Sequence, residues 1–380
     1  MTVPELADHP ADLSGGWVPD VWIGAPAPGG LALPAASPTM AWCYSPRGVH
    51  LDDDHLVMAD SGNHRVLIWH GVPERDEQPA DVVLGQPDGT TEGRAAGGRG
   101  PERGMNLPTG VLVHEGRLIV ADAWHHRVLV WNEVPRESDR APDLILGQPD
   151  PASIEPNRGT ECSANTFYWP FGIDVVGGRF YVADTGNRRV LAWDGGIPET
   201  DRPADLVLGQ PDPAAREENR GGAVAPNSFR WPHDIAGTDE LLLIADAGNH
   251  RVLGWPQHPD ADRDADVLLG QADMGSAVEW PYGPQRGDRL RFPYALALDS
   301  GRLAIGDTAN NRILIWEGPF TDGRPADHVL GQPTMAANGE NRWSGVDRDS
   351  LCWPYGLSLH GDRLAVADSG NNRVVLWRRQ

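Results

Sequence analysis

The sequence predicts an all-β fold, a six-bladed β-propeller of four-stranded antiparallel blades whose ring is closed by the N-terminal strand joining the C-terminal blade. Three observations predict it: one hairpin pattern occurs six times, a proline landmark precedes each copy, and a Gly-Gln segment follows every copy except the last. Repeats at a fixed period outrank the length-based expectation of two or three domains, so the 380 residues read as one domain.

The hairpin is seen in "VADTGNRRVLAW" (182–193) and recurs at 58–69, 120–131, 244–255, 305–316 and 366–377. Its aspartates Asp60, Asp122, Asp184, Asp246, Asp307 and Asp368 are separated by 62, 62, 62, 61 and 61 residues. Gly186 and Asn187 tolerate positive φ and place the reversal between two strands. Asp184 and Arg189 then face each other across the turn. The expectation is an exposed pair worth about 0.2–1 kcal/mol that fixes register.

Pro46, Pro108, Pro170, Pro232, Pro293 and Pro354 open the first strand of each unit at the same spacing. Segments such as "ADVVLGQPD" (80–88) and "ADLVLGQPD" (204–212) end it. Four short strands per unit, repeated radially, make a propeller blade. The blades span approximately 41–88, 105–150, 167–212, 229–273, 290–334 and 351–377. The last copy lacks its fourth strand, and "VPDVWIGAPAP" (18–28) supplies the pattern, with Ala25 lying 61 residues before Gln86. Such closure removes an exposed strand edge.

The net charge is −22 and all 32 basic residues are arginine. That balance argues against nucleic acid, whose binding depends on cationic contacts to phosphate. No apolar run reaches membrane-spanning length, the first residues lack the features of a secretory leader, and three cysteines fit a reducing compartment, so the expectation is a cytoplasmic protein. Carboxylates crowd the segments joining third to fourth strands. The long segments after each Gly-Gln carry offsetting arginines, among them Arg94, Arg99, Arg158, Arg220, Arg286 and Arg342. The longer, less regular loops direct attention to their face of the ring.

The "V-A-D-x-G-N-x-R-V" hairpin following "W-P-x-G-I" resembles the NHL repeat, and the "LGQPD" tail resembles a bacterial branch of that family. Blade two departs, with Trp124 and His125 replacing Gly and Asn, and blade five has Ala309 for Gly. The resemblance implies a six-bladed propeller that binds protein or RNA partners. It also implies two other roles: service to a redox enzyme complex, and a zinc-dependent lyase chemistry built from histidines in the central channel.

A zinc or calcium site needs convergent ligands from several blades. The residues just after each proline are Arg47, Thr109, Phe171, His233, Tyr294 and Tyr355, and three further along stand His50, Leu112, Asp174, Ala236, Ala297 and Ser358. One histidine per column is not a ligand set, so no cofactor is expected and His233 reads as a polar rim residue. No nucleophile elbow or phosphate loop is present. The repeated Trp69, Trp131, Trp193, Trp255, Trp316 and Trp377 read as blade packing. Cys43 falls in an apolar column, Cys162 in a long loop.

The variable positions of blades four, five, six and one bring together Tyr44, Arg47, Arg230, His233, Arg291, Tyr294, Cys352 and Tyr355. Arginine interleaved with tyrosine suits an acidic partner, a carboxylate or a phosphate. A second patch is Trp124, His125 and His126. The function expected is therefore docking of a protein partner or small anionic ligand on the long-loop face. The alternative is a metal-dependent lyase or lactone hydrolase working in the channel.

Overall fold

A computed structural model describes residues 13–25, 38–279 and 284–380. Residues 26–28 of the segment matched to the closing strand lie outside the described residues. Six four-stranded sheets stand around a central channel, each built from consecutive strands in chain order except one. Pro170–Val176, Arg179–Asp184, Arg189–Asp194 and Leu206–Leu208 make blade three, from the channel outwards. Every neighbouring pair is antiparallel.

The exception is the closure. Trp17–Gly24 forms the outermost strand beside Arg373–Arg379, pairing from Trp17 with Arg379 to Gly24 with Arg373. It has eight residues where the other outer strands have three, so the ring's seam is its longest outer pairing.

The apolar core lies between blades rather than within one. The repeated tryptophans are 1–2% exposed, and each sits in a cluster drawn from two adjacent sheets. In the first five blades the indole N–H donates to a carbonyl of the segment joining strands three and four, as Trp193 does to Arg202 at 3.1 Å. Blade six has no such segment, because its last two strands are the two ends of the chain. Trp377 Nε1 accordingly has no partner among the described residues.

Two expectations for the hairpin are corrected. The Asp–Arg pairs are buried, not exposed: Arg189 Nε meets Asp184 Oδ2 at 2.8 Å with both side chains 0% exposed. Asp184 Oδ1 also accepts the Tyr168 backbone N–H, and the rest of the Arg189 guanidinium donates to carbonyls of Pro213, Ser163 and Thr166. The pair therefore ties two long loops to the hairpin. The left-handed residue is also not Gly186 but Arg188, at φ 55°. Glycine is needed at 186 for close approach, since a Cβ there would lie 2.4 Å from the Tyr168 carbonyl oxygen.

The long-loop arginines and the acidic segments do not segregate to opposite faces. Arg99, Arg158 and Arg220 pair with Asp139, Asp201 and Asp262 of the segments joining strands three and four. These ion pairs join the long loops directly to the acidic segments.

Candidate functional site: the collar of the central channel

Each unit contributes the residue after its landmark proline to the channel mouth on the face that carries the Asp–Arg turns, because that proline pairs with the turn aspartate, as Pro232 does with Asp246. Phe171 lies 4.3 Å from His233, His233 4.2 Å from Tyr294 and Tyr294 4.8 Å from Tyr355, centroid to centroid. The Arg47 guanidinium sits 5.2 Å over Tyr355 and 5.9 Å over Trp124, and Trp124 is 6.0 Å from Phe171. These six side chains form a closed collar. Blade two offers only the small Thr109 at this level, whose hydroxyl donates to the Pro170 and Phe171 carbonyls. Trp124 fills the gap, reaching inward from its turn.

The collar unites five predicted residues, Arg47, His233, Tyr294, Tyr355 and Trp124, with Phe171, which stood in the right column but carried no polar group to draw notice. Burial between two rings, with the Arg47 charge nearby, holds His233 neutral by pushing its pKa down to about 3. The imidazole stands at the channel mouth as a stacking element.

Tyr44, Arg230, Arg291 and Cys352 stand further out, two positions before each proline, where the turn aspartates accept their backbone N–H groups. Arg230 pairs with Glu218 and Arg291 with Glu279, each a glutamate of a long loop. Tyr44 is half exposed, and Cys352 packs against Gly370 with burial pushing its thiol up to about 12.

His125 and His126 do not form a surface patch. His125 Nδ1 lies 2.9 Å from Asp122 Oδ2, the contact made elsewhere by an asparagine such as Asn187. His126 Nδ1 accepts the backbone N–H of Trp169 in the next blade. Cys43 is buried as expected, and Cys162 is buried too despite its loop.

Beneath the collar runs one cavity of about 270 Å³ lined by the first strands. Three carboxyls line it: Asp52, which pairs with His50 and His55, and the unpaired Asp174 and Asp234. Asp174 Oδ1 accepts its neighbour Val175's N–H, and Asp234 accepts N–H groups from Ile235 and, across the blade boundary, Leu296. Neither makes an ion pair among the described residues. Loss of water raises Asp174 to about 7 and Asp234 to about 8, the charge of Asp174 adding to the latter. Asp234 escaped the sequence reading because the columns compared were those either side of it. Its signal was there: blades one, two, three and six have Gly48, Gly110, Gly172 and Gly356 at that level, and blade five has Ala295. Gly172 is required opposite, since a Cβ would come within 2.6 Å of Asp234. Among the described residues no three His, Cys, Asp or Glu side chains gather to hold a metal ion, and no helix is long and apolar enough to cross a membrane.

No protein-family model matches the chain. It is 25% identical over 222 residues to NHL repeat-containing protein 2 of Bos taurus, a match covering 53% of this chain and 28% of that protein. Among solved structures it is similar to virginiamycin B lyase from Staphylococcus aureus (12% identity, TM-score 0.47, covering 90% of this chain and 97% of that one). It is likewise similar to the WD40 propeller domain of Doa1 (11%, TM-score 0.44, covering 88% and 78%). The partial sequence match and the six repeated blades together support an NHL-repeat propeller.

Proposed function

We propose that this NHL-repeat propeller is a binding protein that meets its partner on the face of the turns and long loops, and takes a carboxylate or phosphate at the collar of its channel. A propeller with an NHL-repeat relative supports a binding scaffold in general terms. The observation that carries the finer reading is the state of Arg47. Arg230 and Arg291 already have glutamates. Arg47 lies between Trp124 and Tyr355 with no carboxylate among the described residues, and its buried Nε has no acceptor. A guanidinium held by aromatic faces keeps its fork of donors free for a planar anion. The anion is a side chain or phosphate of a protein partner, or a small ligand.

The test is affinity capture from the native host with wild type, Arg47→Glu and the double change Arg230→Glu/Arg291→Glu, alongside thermal unfolding. Arg47→Glu is expected to abolish capture at a nearly unchanged melting temperature, and the double change to weaken it less. Capture indifferent to Arg47→Glu contradicts the proposal. Recovery of redox-enzyme subunits would identify the partner class that the family resemblance implies. The metal-dependent lyase or lactone hydrolase reading requires a stoichiometric ion, which elemental analysis of protein purified without chelator measures directly.

A further inference from the structure

We propose that the channel binds a small dipolar molecule lengthwise, its anionic end at Arg47 in the collar and an amine at the Asp174–Asp234 carboxyls below. This rests on the anion-binding reading of the collar and names the class of small ligand it takes. Three features of one cavity carry it. The cavity is continuous, with Arg47, His233, Tyr294 and Tyr355 at its mouth and Asp174 and Asp234 deeper in. Arg47 at the mouth is without an anion, and Asp174 and Asp234 are without a cation, among the described residues; the third carboxyl of the lining, Asp52, is held by His50 and His55. Asp234 stands one residue of strand below the collar level and Asp174 three, so the deeper carboxyl is ~10 Å down at the rise of an extended chain.

A cation and two ionisable carboxyls that could pair with each other are thus held apart by the fold, each with restricted access to water. Half-buried ionisable groups without a partner are costly unless they serve a purpose. Asp174 Oδ2 takes no hydrogen bond among the described residues, and each Asp234 oxygen accepts one N–H and retains a free lone pair. An arriving ammonium finds acceptors without displacing any of these bonds. Apolar side chains of the first strands, among them Val111, Ile173, Leu296 and Leu357, line the cavity and suit an apolar stem, and the aromatic collar attracts a cation passing through it. Burial keeps both carboxyls near the point of ionisation, so an amine is met by groups able to release their protons. A dianion would repel the carboxyls and a diamine would repel Arg47.

Calorimetric titration with ε-aminocaproate, caproate, hexylamine and adipate tests this. The aminocarboxylate is expected to bind about tenfold or more tighter than caproate or hexylamine, a difference of about 1.4 kcal/mol. Asp174→Asn/Asp234→Asn, which removes both ionisable carboxyls, is expected to erase that advantage while leaving caproate binding intact. Arg47→Gln is expected to lose caproate and spare hexylamine. Adipate matching the aminocarboxylate, the double change leaving the preference in place, or no probe binding at millimolar concentration would each overturn the inference. The two readings fail differently: caproate that binds through Arg47 with no gain from an amine defeats only the dipolar ligand, whereas caproate binding indifferent to Arg47→Gln defeats the collar itself. Melting curves of both variants verify that the ring is intact.

Discussion

A carboxyl withdrawn from water, wholly as in Asp184 or in part as in Asp234, behaves according to whether a cation stands beside it, and this chain holds both cases. Asp184 has Arg189 at 2.8 Å, sealed from water. Removing one partner leaves the other charge desolvated, so Asp184→Ala should cost about 3–5 kcal/mol in urea denaturation. Arg202→Ala, which breaks a half-exposed pair with Asp205, should cost no more than about 1 kcal/mol. Equal effects would mean that the buried network does not anchor the loops. Asp234 is the second case. Its folded-state pKa, about 8, lies above that of the unfolded chain, so the folded protein binds the extra proton. The contribution to stability is full below about pH 4 and is lost as pH rises through 8. Asp234→Asn lacks this loss. Its melting temperature relative to wild type should therefore climb between pH 4 and 8, and a difference constant with pH would contradict the assignment. The sequence showed each turn aspartate and its arginine but not their burial, which depends on loops closing over them from some 25 residues away, as Ser163 and Pro213 do over Arg189.

Between blades, the turn of one unit holds the first strand of the next. His64, His126 and His250 accept through Nδ1 the backbone N–H of Leu107, Trp169 and Phe292, and Asn311 and Asn372 do the same through Oδ1 for Trp353 and Ser45. All five donors have positive φ, between 47° and 53°. The sixth junction has Arg188, which has no acceptor, and there Trp231 stays out of the left-handed region. Histidine and asparagine are thus interchangeable at this position for a stated reason. His250→Asn should be nearly neutral, while His250→Ala should cost about 1–3 kcal/mol by stranding a buried N–H. Equal loss in both variants would refute the clamp. Protonation of Nδ1 removes the acceptor, and burial holds His126 and His250 down to about 4. A depressed histidine contributes stability that is present above about pH 6.5 and fades as pH falls towards 4. The variant His250→Asn should show a shallower decline of melting temperature across that window, and an unchanged slope would count against it. The motif "N-x-R" was plain in the sequence, but the partner that gives its middle position meaning lies in the next blade, 42 or 43 residues on for four of the five and 327 residues back for Asn372.

At the scale of the ring, the fold was legible because periodicity reports it directly: the spacing of six aspartates and six prolines set the blade number, and the leftover pattern at 18–28 set the closure. The site was legible only in part. Arg47, His233, Tyr294 and Tyr355 differ within one column and were seen for that reason. Trp124 reaches the same collar from a different element, Phe171 is apolar, and Asp234 lies one level deeper; spacing along a chain does not announce convergence across blades. Arg230 and Arg291 looked free in sequence and are occupied in space by Glu218 and Glu279. The regular columns build the walls, and irregular residues of the inner strands are left to line the channel. That division holds only if Trp17–Gly24 seals the last blade. The most direct measurement is to delete residues 1–30 and compare oligomeric state and melting with the full chain. An aggregating or unfolded product is predicted, because Arg373–Arg379 would present a bare edge and the clusters around Trp22 and Trp17 would open. A monomeric product melting at the same temperature as the full chain would contradict the account.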